Sequence, residues 1–172
     1  MKIILVNAVS VDGKIAQSGT DELKWTGSED KKWFADVSKK AGVIIMGRKA
    51  YEVLGKPLKD RLIKVMTRQP TKYKDVAGRV EFSDKSPGET IRELSDRNYE
   101  EVIIGGGAKI NTIFLKEKLI DEIWLSVIPV VLGKGLEIFD NKIKEKVELE
   151  LLESEKLGIN GVVVKYKLIY RL

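Results

Sequence analysis

Twice in this sequence an apolar, strand-like run ends in glycine and leads straight into a helix-like run. The first is Val43-Ile44-Ile45-Met46-Gly47-Arg48, and the second is Val102-Ile103-Ile104-Gly105-Gly106-Gly107. A β-α-β order brings both junctions to one edge of a sheet. Where a strand ends in glycine and opens a helix, free backbone N–H groups lie at the positive end of the helix dipole, which favours phosphate. Two such junctions suit the two ends of one nucleotide. Arg48, at the first of them, supplies a planar fork of donors that matches a phosphate.

Composition removes several chemistries. The 172 residues include no Cys and no His. Disulfides, thiol nucleophiles, imidazole bases, structural zinc and the Ser-His-Asp arrangement are therefore excluded. Acid–base work falls to carboxylates, Lys, Tyr or water. No clustered Asp/Glu motif points to a metal. The net charge of +5 comes from interleaved Lys and Glu, as in Lys142-Ile143-Lys144-Glu145-Lys146. That pattern reads as a solvated surface of mixed sign, with a mild bias towards an anionic small ligand and no sign of nucleic-acid binding. No apolar run approaches a bilayer span, and the start carries no small-residue cleavage site, so a cytoplasmic protein is expected. The charged fraction of 33%, few Gln and no Cys suggest a thermophilic source.

No repeat or linker interrupts the chain, which reads as one domain over 1–172. Strands are expected over 2–9, 42–46, 62–67, 80–82, 101–105 and 121–131. Helices are expected over 28–40, with Ser28 as the cap, and over 48–54, 87–97 and 108–116. The intervening stretch 10–27 is a long loop of the kind that usually carries function. Two alternating runs, 147–155 and 161–170, predict a final antiparallel hairpin. The fold class is α/β, a mostly parallel mixed sheet with an antiparallel edge. It is not the usual dinucleotide fold, because no G-x-G-x-x-G follows the first strand.

Asp30-Lys31-Lys32-Trp33-Phe34, Ile45-Met46-Gly47-Arg48-Lys49-Ala50-Tyr51-Glu52, Leu54-Gly55-Lys56-Pro57-Leu58, Arg61, Thr67-Arg68-Gln69-Pro70 and Ile104-Gly105-Gly106-Gly107 occur in this order. Together they resemble dihydrofolate reductase over most of the chain. Leu119-Ile120-Asp121-Glu122-Ile123, Pro129-Val130-Val131-Leu132-Gly133-Lys134-Gly135 and Ile138-Phe139 are more similar to the reductase domain of riboflavin-biosynthesis deaminase–reductases. The two families share the dihydrofolate-reductase-like three-layer α/β/α fold. The resemblance implies that fold here, an NADPH-dependent reductase activity and a small-molecule substrate.

It also implies roles for individual residues. Gly47 and Arg48 match the Gly-Arg motif that holds cofactor phosphate, with Lys49 adding charge. Position 50, usually Thr, is Ala here. Thr67 and Arg68 match the turn that receives the adenosine 2′-phosphate. Gly105, Gly106 and Gly107 match the glycine run at the cofactor, with a cis peptide expected between Gly105 and Gly106. Ala8 and Ile15 match positions bordering the nicotinamide, and Asp12-Gly13-Lys14-Ile15-Ala16 resembles the mobile loop that closes over it. Asp30 is the expected catalytic carboxylate, pairing with ring N–H and amine groups and favouring positive charge as hydride arrives. Ser126 matches a hydroxyl behind it. Trp25 and Phe34 match aromatics of the substrate pocket, and Arg61 matches the Arg that binds the folate glutamate.

The main expectation is reduction of dihydrofolate to tetrahydrofolate. The alternative is reduction of 5-amino-6-(5-phosphoribosylamino)uracil in riboflavin synthesis, favoured by the 129–135 segment. A third reading is a non-catalytic nucleotide-binding protein on the same fold, which Ala50 favours and Asp30 opposes. A homodimer through the tail from Val147 onward and the 129–139 segment is also expected.

Overall fold

The computed structural model describes residues 1–140, 143 and 145–170. The charged run read at 142–146 falls partly outside them, at Lys142 and Lys144. Strand β1 (Lys2–Ser10) lies inside an eight-stranded sheet among the described residues. Around it are β3 (Val43–Gly47), β4 (Leu62–Met66), β5 (Val80–Ser83), β6 (Glu101–Ile104) and β7 (Glu122–Ile128). The hairpin β9 (Glu148–Leu157) and β10 (Gly161–Ile169) closes the chain. The order is β5-β4-β3-β6-β1-β7-β10-β9. Strands β1 and β3 to β7 run parallel, and β10 and β9 follow antiparallel.

Neighbouring side chains point to opposite faces of a strand, and both faces here are apolar because helices cover both. Ile3, Leu5, Val43, Ile45, Val102 and Ile104 form one core with Leu94, Ile110 and Phe114. Those last three come from α3 (Pro87–Asp96) and α4 (Ala108–Lys116). Ile4, Val6, Ile44, Met46 and Ile103 form the other core, against Trp33, Phe34, Val37, Tyr51 and Leu54. These belong to α1 (Gly27–Ala41) and α2 (Arg48–Leu54). The expected three layers are therefore present.

Boundaries differ where local chemistry decides. Helix α1 begins one residue before Ser28, whose hydroxyl donates to Glu29 instead of capping. Its C-terminus is closed by Gly42, at φ 77°, which donates to Ser38 O. Helix α3 starts at Pro87 with a capping box, in which Ser86 and Glu89 satisfy each other's backbone N–H. Strand β7 ends at Ile128, short of the expected Val131, since Pro129 has no N–H to give a ladder. The long loop holds a short strand, β2 (Lys14–Ala16), paired with β8 (Leu136–Glu137), and a 3-10 turn over Lys24–Thr26.

Lys64 of β4 is 5% exposed and sits between Glu81 (3.0 Å) and Glu93 (2.7 Å). Arg97 also holds Glu81, and Lys85 holds Glu93. Burial pushes the Glu93 carboxyl up, but hydrogen bonds from Lys64 and Lys85 outweigh it and hold the group at about 2. Its folded value lies below the ordinary 4.5, so the stabilisation is complete above pH 4.5 and is lost as pH falls towards 2. Lys64→Met is expected to lower stability by about 2 kcal/mol at neutral pH, because two half-buried carboxylates each lose a partner. The variant should also lose less stability than wild type on acidification, as read by urea unfolding at neutral pH and at low pH.

Candidate active site

The parallel strands β3, β6, β1 and β7 end at the same edge, and the two glycine junctions meet there. Gly47 N–H donates to Gly106 O at 2.8 Å, and Gly105 N–H donates to Ile45 O at 2.8 Å. The cis peptide lies at Gly106–Gly107, one residue later than expected. Gly105 still belongs to the strand ladder, and the backbone leaves it at Gly106, where φ is 91°. A Cβ on Gly105 would lie 2.9 Å from Ile44 Cγ2, so a side chain there would displace the core. A Cβ on Gly107 would meet nothing within 4 Å, which leaves open space in front of α4.

Across the sheet from this glycine edge lies the expected carboxylate. Asp30 is in the first turn of α1 and is 6% exposed. Ser126, fully buried on β7, donates its hydroxyl to Asp30 Oδ1 at 2.5 Å. Ser126 pairs in register with Ala8 of β1. The packing therefore gathers Ala8, Asp30 and Ser126 at one level of the sheet. Burial pushes the Asp30 carboxyl above its ordinary range, while hydrogen bonds from Ser126 and Thr26 and the charge of Lys31 pull the other way. An acid in this setting can hold a proton closer to neutral pH than a surface carboxylate can.

The stretch 12–16 is strapped to the segment after β7. Asp12 accepts from Ser10 Oγ (2.7 Å), Leu132 N–H (3.0 Å) and Gly133 N–H (2.8 Å). These bonds, led by Ser10, hold its carboxyl at about 2. Lys14 pairs with Glu137 at 3.0 Å. A Cβ on Gly135 would lie 2.2 Å from Ala16 O, so the β2–β8 contact demands glycine there. Ile15, on this strap, is buried.

The remaining expected residues divide. Register sets Gly47 opposite Met66, and Met66 opposite Ser83. Arg48, Thr67 and Arg68 thus follow one another along the edge beyond β3 and β4. Arg48 pairs with Glu52, and Lys49 and Arg68 are exposed. Phe34 is half-buried against the core on the α1 side. Trp25, in the turn before α1, donates its indole N–H to Asp21 Oδ2 at 3.1 Å. Arg61, expected to bind a ligand carboxylate, has two of its three nitrogens engaged by the scaffold. Its Nη1 donates to Ala35 O (2.8 Å) and to Ser38 Oγ, and its Nε donates to Lys59 O (3.0 Å). Burial lowers its pKa. Its role in this fold is to tie α1 to the start of β4.

Sequence reasoning did not reach Asn7 and Asn111. Asn111 is fully buried, and its Nδ2 donates to Asn7 Oδ1 (2.8 Å) and Ile138 O (2.7 Å). Its Oδ1 has no hydrogen-bond partner among the described residues, and it lies 3.8 Å from where a Gly106 Cβ would be. The available signal was an amide in the apolar run Val6-Asn7-Ala8. Open space at Gly107 and a row of cations beyond β3 and β4 fit a phosphorylated dinucleotide.

The family described as RibD C-terminal domain matches residues 1–164. The Bacillus subtilis (strain 168) protein YwjB is 32% identical over 167 residues, covering 91% of this chain and 92% of that protein. A protein of Shewanella sp. PV-4 assigned to riboflavin biosynthesis superposes with a TM-score of 0.81 at 23% identity, covering 99% of this chain and 100% of that one. The Thermotoga maritima diaminohydroxyphosphoribosylaminopyrimidine deaminase/5-amino-6-(5-phosphoribosylamino)uracil reductase superposes with a TM-score of 0.79 at 17% identity. That match covers 96% of this chain and 56% of the Thermotoga chain. With its mostly parallel sheet, its closing antiparallel hairpin and this extent of match, the chain belongs to the RibD C-terminal domain family, within the dihydrofolate-reductase-like superfamily.

Proposed function

We propose that this chain is an NADPH-dependent reductase of a phosphoribosylated aminopyrimidine, of the type 5-amino-6-(5-phosphoribosylamino)uracil. The observation that carries the choice of substrate is the commitment of Arg61 to the backbone and hydroxyl of α1. The folate expectation leaned on Arg61 as the glutamate clamp, and its Nε and Nη1 are engaged elsewhere. The strap from Asp12 to Leu132 and Gly133 supports the same reading, because it ties the riboflavin-like segment to the loop expected to close over the nicotinamide.

Arg48, Thr67, Arg68 and the glycines Gly47, Gly105, Gly106 and Gly107 would hold NADPH, with Lys49 nearby and Ala8 and Ile15 beside its nicotinamide. When bound, NADPH supplies a hydride. Reduction of a ribosylamine to a ribitylamine places that hydride on C1′ and a proton on the opened ring oxygen. Asp30 would supply that proton, directly or through water, and Ser126, which donates to its Oδ1, would orient it. Trp25 and Phe34 would contribute the aromatic contacts to the substrate.

Asp30 titrates above its ordinary value when folded, so the ionised form is the one that folding disfavours. Stability from this group is fullest at low pH and is lost as pH rises through the folded value. Asp30→Asn is therefore expected to melt at or above the wild-type temperature while turnover falls about 100-fold or more. A variant with near wild-type turnover removes Asp30 from the mechanism.

Substrate choice is tested by loss of NADPH absorbance with 5-amino-6-(5-phosphoribosylamino)uracil and dihydrofolate offered in parallel. Turnover with the uracil alone is expected, turnover with dihydrofolate alone restores the folate reading, and silence with both leaves the non-catalytic reading.

The hairpin also supports the expected homodimer. Leu149 stands opposite Leu168 and Leu151 opposite Tyr166, and Leu149, Leu151 and Val162 are exposed. A second copy would cover this face, and light scattering at working concentration should give twice the chain mass.

A further inference from the structure

Arg48 is not left to find its own position. Its Nη1 donates to both carboxylate oxygens of Glu52, each at 2.7 Å, one helical turn further along α2. Tyr73 OH donates to Glu52 Oε1 at 3.0 Å from a segment 21 residues away in sequence. The Tyr73 ring is stacked on Phe82 of β5, with centroids 4.7 Å apart and planes 14° apart. Tyr51 meets the same Phe82 edge-on at 5.4 Å. A continuous chain of contacts thus runs from β5 through Phe82, Tyr73 and Glu52 to the Arg48 guanidinium. Hydrogen bonds from Arg48 and Tyr73 hold the Glu52 carboxyl below its ordinary range, so it remains an anion under working conditions.

The geometry points to Glu52 and Tyr73 as positioning residues that hold Arg48 in place for the 2′-phosphate and so set the preference for NADPH over NADH. The inference rests on the reading of Arg48, Thr67 and Arg68 as that phosphate's subsite. Arg48 gives a single nitrogen to Glu52. The Nε–Nη2 edge of its fork has no carboxylate partner among the described residues, and that edge can meet a phosphate in the two-bond arrangement a guanidinium favours. An exposed Arg samples many rotamers, and ordering it only when the cofactor binds costs affinity. Here the ordering is done in advance by a carboxylate that is itself held by Tyr73, whose ring is stacked on Phe82 of β5. Neither Glu52 nor Tyr73 touches the dinucleotide in this scheme.

An opposed physical effect makes the idea testable by sign. Glu52 is an anion close to a site for an anion, so Coulomb repulsion alone predicts that removing its charge tightens NADPH binding. Positioning predicts the reverse. The experiment is equilibrium binding of NADPH and of NADH to the full chain by fluorescence, for wild type, Glu52→Gln and Tyr73→Phe, with a thermal melt of each. Glu52→Gln is expected to raise the Kd for NADPH about 5- to 10-fold and to leave NADH within about 2-fold. Tyr73→Phe keeps every charge and is expected to move the NADPH Kd in the same direction by a smaller factor. Unchanged or tighter NADPH binding by Glu52→Gln overturns the positioning role, and so does an equal loss for both dinucleotides. A wild type that binds NADPH no better than NADH overturns the 2′-phosphate reading itself, and the positioning role falls with it.

Discussion

The close approach of β3 and β6 is the constraint from which the site is built. Their ends are joined by the bonds from Gly47 N–H to Gly106 O and from Gly105 N–H to Ile45 O. A side chain on Gly47 would sit 3.0 Å from Ile110 Cγ1, and one on Gly105 would sit 2.9 Å from Ile44 Cγ2. The two strands can end side by side only because nothing projects between them and their helices. Arg48 then opens α2 on one side of the sheet, and Ala108 opens α4 on the other. Backbone N–H groups, open space and the cationic row along β3 and β4 all face the same edge as a result.

Asp30 stands at the opposite end of that edge and has a different energetic character. A carboxylate that is 6% exposed is costly to ionise, and its raised titration range reflects that cost. The two cores of Ile, Val and Leu on the faces of the sheet offset it. The contrast with Lys64 is instructive. Lys64 is as buried as Asp30, yet it is satisfied by two carboxylates and contributes to stability in the usual way. Among the described residues Asp30 accepts from the hydroxyls of Ser126 and Thr26 and feels the charge of Lys31, which together do not offset the cost of its burial.

Relatedness to the RibD C-terminal domain family gives the Asp12 strap its significance. A residue of the loop after β1 is bonded to backbone N–H groups about 120 residues further along the chain, at Leu132 and Gly133. The loop that covers the nicotinamide in the resemblance is thereby fixed to the segment that distinguishes the riboflavin-like reductases. Gly135, which no side chain could replace against Ala16 O, preserves that junction.

Much of this was legible in the residues alone. Helices α2 and α4, the closing hairpin and the three-layer order follow from apolar periodicity and from Gly and Pro, whose effects act over a few residues. Asp30, Ser126 and Ala8 were legible as matches to a motif, and packing brought them together because β1 and β7 are neighbours. The Arg61 contacts could not be read that way, since the partners of its Nη1 are on a helix 23 to 26 residues earlier. The Asn7–Asn111 bond spans 104 residues, and the Tyr73–Glu52 bond spans 21. The sequence by itself determined which elements form and in what order, because backbone preference and hydrophobic spacing are local. Only the tertiary structure decided which charged and amide groups are spent on the scaffold and which remain for a ligand, because that depends on what distant segments bring within hydrogen-bond reach.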